Sequence, residues 1–164
     1  MSSLLEAFTV FHVALSLIGI VAGFAALAGM IGATWKNRWV KIFLWATSLT
    51  SITGFMFPFR GITKGIVLGI ISLVVLALGL YALYGKKVAG GWRATFVISL
   101  TIAQYLNFFV LIAQAFRKIP ALTALAPTGA ETPFKVVQGV TLLIFIALGI
   151  LAVRNFRDKA PLKA

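Results

Sequence analysis

The chain has no cysteine, a single histidine and only three acidic residues among its 164 positions. Without cysteine it forms no disulfide, no iron–sulfur cluster and no thiolate zinc site. His12 alone cannot supply bis-histidine haem ligation within one copy of the chain. The acids Glu6, Glu131 and Asp158 lie near or beyond the edges of the long apolar segments. The buried carboxylate that commonly couples a transporter to protons or sodium is therefore missing.

Motifs for catalysis are missing as well. The sequence contains no HExxH, no phosphate-binding glycine-rich loop and no Ser–His–Asp set. We therefore predict no catalytic residues and no metal site, and the sequence names no cofactor.

The chain is rich in long apolar segments. Hydrophobic residues make up 61% of it and charged residues 11%, against about a quarter charged in a soluble domain, and its mean hydropathy is +1.05. Five blocks are each long enough to cross a hydrocarbon core of about 30 Å. We predict an all-α integral membrane protein, a bundle of five transmembrane helices in one domain spanning 1–164. The predicted helices cover residues 4–33, 40–59, 65–84, 94–116 and 134–153, with an outer loop at 117–133.

The second block is the weakest candidate, because it is rich in threonine and serine between Thr47 and Thr53. A hydroxyl can return a hydrogen bond to a carbonyl of its own helix, so these residues are tolerated in a membrane. Pro58 falls where a helix can stop without losing an internal bond. We therefore predict that this block spans; a re-entrant segment is the alternative and would reverse the topology of everything after it.

Positive charge is distributed unequally between the two sides of the five-span arrangement. Ten cations fall on the side of the C-terminus, namely Lys36, Arg38, Lys41, Lys86, Lys87, Arg93, Arg154, Arg157, Lys159 and Lys163. Five fall on the side of the N-terminus, namely Arg60, Lys64, Arg117, Lys118 and Lys135. Cytoplasmic loops carry the excess of Lys and Arg, so we predict the N-terminus outside and the C-terminus in the cytoplasm. The net charge of +12 lies in short loops and at helix ends, where cations meet lipid headgroups, and does not indicate a nucleic-acid partner.

Several uncharged polar residues are placed inside the predicted spans. Gln104, Asn107 and Gln114 share one face of the fourth helix by their spacing, and an amide facing lipid would cost several kcal/mol. On the predicted topology the polar residues fall in the outer half of the membrane. We predict an uncharged pocket there that binds a lipid, a quinone-like molecule or another small amphipathic ligand. Its expected lining is His12, Ser16, Thr50, Asn107, Gln114 and Gln138, and its expected rim is Arg60, Lys64, Arg117 and Lys118.

Three other interpretations of these residues stay open. The amides can serve only to hold helices together, which is common in membrane proteins. The chain can be an accessory subunit that docks onto a larger membrane complex through the GxxxG faces of Gly19 and Gly23 or Gly65 and Gly69. It can also form a channel as a homo-oligomer. Membrane lipids are the partners expected in every case.

Three stretches resemble a group of small proteobacterial multi-pass membrane proteins that has no assigned activity. They are "TSLTSITGFMFPF" from Thr47, "GIISLVVLALGLYALY" from Gly69, and "YLNFFVLIAQAFRKIPALTALAPTGAETPF" from Tyr105. The resemblance implies a location in the bacterial inner membrane. It implies no catalytic or ligand-binding residue.

Overall fold

The computed structural model describes residues 3–57 and 64–156, and of Lys64 the backbone only. All regular structure in this part of the chain is helical. The long helices are α1 (Ser3–Ile31), α2 (Asn37–Gly54), α3 (Lys64–Leu80), α4 (Trp92–Lys118) and α6 (Thr132–Asn155), and α5 (Pro120–Leu125) is short. α3 continues into one π-helical turn, Tyr81–Gly85. Within the described ranges, four segments are long and apolar enough to cross a membrane: α1, Gly65–Gly85, α4 and α6.

The helix bounds differ from the predicted ones mainly at α2 and α5. α2 ends at Gly54, short of the predicted residue 59. A proline restricts the residue before it to extended backbone, so Phe57 ahead of Pro58 is disfavoured in a helix. α5 lies inside the segment expected to be the outer loop, and Pro120 occupies its first turn, where the missing N–H of proline leaves no bond unmade.

α1 and α4 lie at the centre of the bundle. α1 packs against α2, α4 and α6, whereas α4 packs against α3, α6 and α1. α2 also contacts α3, which closes the ring of five long helices. Each of the two central helices therefore has three long helices as neighbours in the described part of the chain, and α4 also contacts α5 and the π-helical turn.

The two ends of the bundle differ in packing. One, which we call the packed end, is where α1 and α6 finish; there Asn155 Nδ2 donates to the carbonyl oxygen of Ile31 at 2.8 Å. Trp35, in the α1–α2 turn, contacts the rings of Phe96 and Phe156 at the same end. The largest fully buried side chains are Phe43, Phe96, Leu27, Met30, Leu100, Gln104, Val40, Val97 and Thr47. Most of them lie between the middle of the bundle and this end.

The other, the open end, is where α1 and α6 begin. No residue of α1 from Ser3 to Ile18 is buried, whereas Gly19, Ile20, Ala22 and Gly23 are. Phe8, His12 and Ser16, which form the inward stripe of the first half of α1, are only half-buried. The helices are thus close together at one end and looser at the other.

The α3–α4 connection at the packed end is compact. Lys86 N–H donates to the carbonyl of Tyr81 at 3.0 Å, which closes the π-helical turn. The Lys86 ammonium lies 5.5 Å from the ring centroids of both Tyr81 and Trp92. Val88 is buried although its φ is +51°, and its burial offsets the strain of a left-handed backbone at a β-branched residue.

Candidate functional site

His12 of α1 meets α2 in the looser half of the bundle. Its Nδ1 lies 2.9 Å from Thr53 Oγ1, and that hydroxyl lies 2.7 Å from the carbonyl oxygen of Leu49. A hydroxyl has one hydrogen, so if Thr53 donates it to Leu49, Thr53 must accept from His12 Nδ1–H. In that arrangement the neutral imidazole carries its hydrogen on Nδ1, and Nε2 has a free lone pair. The imidazole is half-buried and lies edge-on to the ring of Phe57 at 5.1 Å.

Two further predicted residues lie near this pair. Thr50, one turn before Thr53, is half-buried, and its Oγ1 is shielded from solvent without a hydrogen-bond partner in the described part of the chain. Ser16 follows His12 by one turn and donates to the carbonyl of Val13 at 2.7 Å. Its hydroxyl is thus satisfied within α1. Thr50 Oγ1 therefore has unused hydrogen-bonding capacity, as does His12 Nε2.

Gln104 lies deeper, where α4 crosses α1. It is fully buried, and its Nε2 donates to the carbonyl oxygen of Ile20 at 2.8 Å. A Cβ built on Gly23 would overlap Gln104 Oε1, so the Gly23 Cα–H takes the place directed at that oxygen. Oε1 is buried without a conventional hydrogen-bond partner in the described residues.

Asn107 connects α4 to α2, one turn nearer the open end. Its Nδ2 donates to the buried Thr47 Oγ1 at 3.0 Å. A Cβ on Gly19 would lie 3.1 Å from the same hydroxyl. Glycine at position 19 therefore permits α1 to approach the Thr47–Asn107 pair closely.

The remaining two amides behave differently from each other. Gln138 of α6 is buried, and its Nε2 donates to the carbonyl of Phe109 at 3.1 Å, while its Oε1 is buried without a partner in the described residues. Gln114 is exposed. The structure therefore brings Gln104, Asn107 and Gln138 into helix contacts and leaves Gln114 on the outside of α4.

The predicted rim is described only in part. Arg117 and Lys118 are exposed in the last turn of α4. Arg60 and the side chain of Lys64 lie outside the described residues. The two described rim cations are at the open end, close in sequence to α5.

A turn at the same end holds the carboxylate of Glu131. It accepts hydrogen bonds from the Thr128 hydroxyl at 2.8 Å, from the Thr128 N–H at 3.0 Å and from the Ala130 N–H at 3.0 Å. These bonds, with the Thr128 hydroxyl the largest cause, lower the pKa of Glu131 from its ordinary 4.5 to about 2. The Glu131 carboxylate thus makes these hydrogen bonds within its own turn.

A groove between α4 and α6 was not anticipated from the sequence. Its volume is about 400 Å³, and its lining is almost entirely apolar. Tyr105 and Phe145, whose ring centroids are 5.7 Å apart, lie at one end of it and Arg154 lies at the other. No motif marks it, because its aliphatic positions are indistinguishable in the sequence from ordinary lipid-facing ones.

Comparison of the chain with protein-family models, with curated proteins and with solved structures gives no match. The resemblance to proteobacterial membrane proteins therefore stays a prediction. Among residues 3–57 and 64–156 there is also no group of three or more His, Cys, Asp or Glu residues that would hold a metal ion.

Proposed function

We propose that the chain is a multi-pass protein of the bacterial inner membrane that binds a small amphipathic molecule, a lipid or a quinone-like compound, in the outer half of the bilayer. In this proposal α1, α2, α3 with its π-helical turn, α4 and α6 all cross the membrane. The N-terminus is outside and the C-terminus is in the cytoplasm.

The surroundings of α2 support its role as the fifth span. Its 18 residues extend about 27 Å, close to the hydrocarbon thickness of about 30 Å. Its low hydropathy comes from Asn37, Arg38 and Lys41, which lie in its first five residues at the packed end. Its hydroxyl residues add to this, and two of them, Thr47 and Thr53, are buried inside the bundle. Its outward face carries Trp45 and Ile52, which are 69% and 51% exposed. A helix that is polar inside and apolar outside is suited to lipid.

The course of α2 also supports this assignment. Trp35, just before α2, lies at the packed end, and Phe57, just after it, lies against Phe8 near the start of α1. α2 therefore runs antiparallel to most of α1. A helix that accompanies a membrane-spanning neighbour over this length is expected to cross the same layer.

Charge supports the proposed orientation. The described cations at the packed end are Lys36, Arg38, Lys41, Lys86, Lys87, Arg93 and Arg154, and those at the open end are Arg117, Lys118 and Lys135. By the positive-inside rule the packed end is cytoplasmic. The looser half of the bundle then lies in the outer leaflet.

The observation that carries the ligand proposal is the His12–Thr53 pair. Thr53 holds one nitrogen of the imidazole, which leaves Nε2 as an acceptor in a half-buried setting. Thr50, one turn away on α2, adds a shielded hydroxyl without a partner in the described residues. An acceptor on α1, with a hydroxyl one helical turn from its Thr53 partner on α2, suits a ligand whose polar head donates a hydrogen bond, such as a hydroquinone or a lipid hydroxyl. Arg117 and Lys118 would favour an anionic headgroup at the rim.

The structure offers less support for an accessory subunit that docks through its glycine faces. Gly19 and Gly23 are buried against α2 and α4, and a Cβ on Gly69 would lie 3.0 Å from the Phe55 ring. Gly19, Gly23 and Gly69 thus make contacts within the chain, and of the two glycine pairs only Gly65 is exposed. No contact in the described residues favours an oligomeric channel.

The test uses decylubiquinol as the probe and the full chain in a mild detergent. We expect saturable binding to the unmodified protein, measured by equilibrium dialysis, and about tenfold weaker binding to His12→Leu, because one hydrogen bond is lost in a partly desolvated site. Thr9→Val is the matched control. It removes a half-buried hydroxyl of α1 that already donates to the carbonyl of Leu5, and it should bind normally.

Two outcomes would contradict the proposal: equal binding by His12→Leu and the unmodified protein, or no saturable binding of decylubiquinol or of any co-purifying lipid. Recovery of a stoichiometric partner chain in the second case would instead support the accessory role.

A further inference from the structure

The groove between α4 and α6 has the form expected of a site for one acyl chain. Its walls are the exposed aliphatic side chains of Ile98, Ile102, Leu142, Ile146 and Ile150. The Thr101 hydroxyl in the groove needs no polar partner from a ligand, because it already donates to the carbonyl of Val97 at 2.8 Å. Gly149 lets the two helices approach, since a Cβ there would lie 3.2 Å from a Thr101 methyl group.

The dimensions of the groove match one leaflet. From Leu142 to Arg154 the lining follows α6 for about 18 Å at about 1.5 Å per residue. Half of a hydrocarbon core of about 30 Å is about 15 Å. The groove therefore runs from near the middle of the bundle to the packed end over the depth of one layer of acyl chains.

Charge is present only at the packed end of this groove. Arg154 is the single charged residue in its lining, and it is exposed in the last turn of α6. The described carboxylates, Glu6 and Glu131, belong to the start of α1 and to the turn before α6, at the other end of the bundle. The guanidinium carbon of Arg93 lies 6.0 Å from the ring of Phe156, two residues after Arg154 in the chain, and adds positive charge at the same end of the bundle.

We propose that the groove binds an anionic phospholipid, with one acyl chain between α4 and α6 and the phosphate on the Arg154 guanidinium. A guanidinium can donate two parallel hydrogen bonds to a phosphate, and a cation at the membrane surface favours an anionic lipid over a zwitterionic one. This site lies at the opposite end of the bundle from His12. It is independent of the ligand proposed for the outer half.

The experiment is a native mass spectrometry titration of the full chain in mild detergent. The probes are palmitoyl-oleoyl phosphatidylglycerol and palmitoyl-oleoyl phosphatidylcholine, which share their acyl chains and differ in headgroup charge. We expect about fivefold tighter binding of phosphatidylglycerol. Arg154→Gln should abolish the preference. Arg38→Gln is the control, because Arg38 is also exposed at the packed end but lies on α2, and it should retain the preference.

A second pair of variants tests the groove itself. Ile146→Trp fills the groove and should weaken the binding of both lipids. Ile144→Trp adds the same side chain at an exposed position of α6 outside the groove and should leave binding unchanged.

The proposal is overturned if the unmodified protein binds both lipids equally, if Arg154→Gln keeps the preference, or if the two tryptophan variants bind alike. His12→Leu should keep the preference for phosphatidylglycerol, so failure of the outer-half site and failure of this site are distinguishable.

Discussion

The side-chain amide of Gln104 on α4 lies directly against the backbone of Gly23 on α1. The glutamine amide fills the volume that any side chain at position 23 would need, and its Nε2 donates to the carbonyl of Ile20 on the same helix as Gly23. The contact joins α1 and α4, the two central helices of the bundle. A glycine and an amide at this crossing therefore depend on each other.

The first prediction concerns this crossing. Gly23→Ala should lower the free energy of unfolding by about 1–3 kcal/mol, because the added methyl group displaces a buried side chain in a packed interior. Unfolding in mixed micelles with increasing sodium dodecyl sulfate measures the change. Gly139→Ala on α6 is the control, because nothing lies within 4 Å of a Cβ there, and its stability should be unchanged or slightly higher. Equal destabilisation by both substitutions would contradict the close contact between Gly23 and the Gln104 amide.

The second prediction concerns the hydrogen bond between Asn107 and Thr47. A double-mutant cycle with Asn107→Leu and Thr47→Val should give a coupling energy of about 0.6 kcal/mol, typical of hydrogen bonds between membrane helices. The same cycle with Gln114→Leu in place of Asn107→Leu should give additive effects, since Gln114 is exposed. Additivity in both cycles would show that the bond contributes nothing to stability.

The third prediction concerns the pH dependence of the turn before α6. Because the folded pKa of Glu131 is lowered to about 2 from 4.5, its carboxylate stabilises the turn fully above about pH 4.5. That stabilisation should decrease as the pH falls toward 2. The amide proton shifts of Thr128 and Ala130, which donate to the carboxylate, should titrate near pH 2. A midpoint near 4.5 would mean that these bonds do not form, and Glu131→Gln should abolish the titration.

The fourth prediction concerns membrane topology and uses the absence of native cysteine. Single cysteines at Thr34, Ala89 and Ala130, all exposed, can be labelled with an impermeant maleimide in intact cells and in inverted vesicles. If α2 spans, Thr34→Cys and Ala89→Cys react from the cytoplasmic side and Ala130→Cys from the outer side. Reaction of Thr34→Cys and Ala89→Cys from opposite sides would show that α2 does not cross.

Much of the helical framework was predictable because long apolar runs admit few other structures in a membrane. The inward stripe of α1 was predictable for a similar reason, since the spacing of His12, Gly19 and Gly23 places them on one side. In the structure His12 is half-buried and both glycines are buried. The general location of the polar contacts could therefore be derived from periodicity alone.

The partners of the polar groups were not predictable. Gln114 is ten positions from Gln104, which at about 100° per residue puts it about 80° around α4, and the looser packing at the open end leaves it exposed. The acceptors used by Gln104 and Gln138 are backbone carbonyls of Ile20 and Phe109. Every residue has such a carbonyl, so only the relative positions of the helices decide which one is used.

The uneven packing along α1 has a mechanical consequence. Buried side chains hold the helices together at the end where Asn155 bonds to Ile31. By contrast, α1 from Ser3 to Ile18 has no buried residue, and the His12–Thr53 hydrogen bond and the ring of Phe57 hold it to the end of α2. In the proposed topology, a change in lateral pressure in the outer leaflet would therefore change the cross-section of the open end more readily than that of the packed end. The taper of the bundle along the bilayer normal would then depend on the pressure in the surrounding lipid.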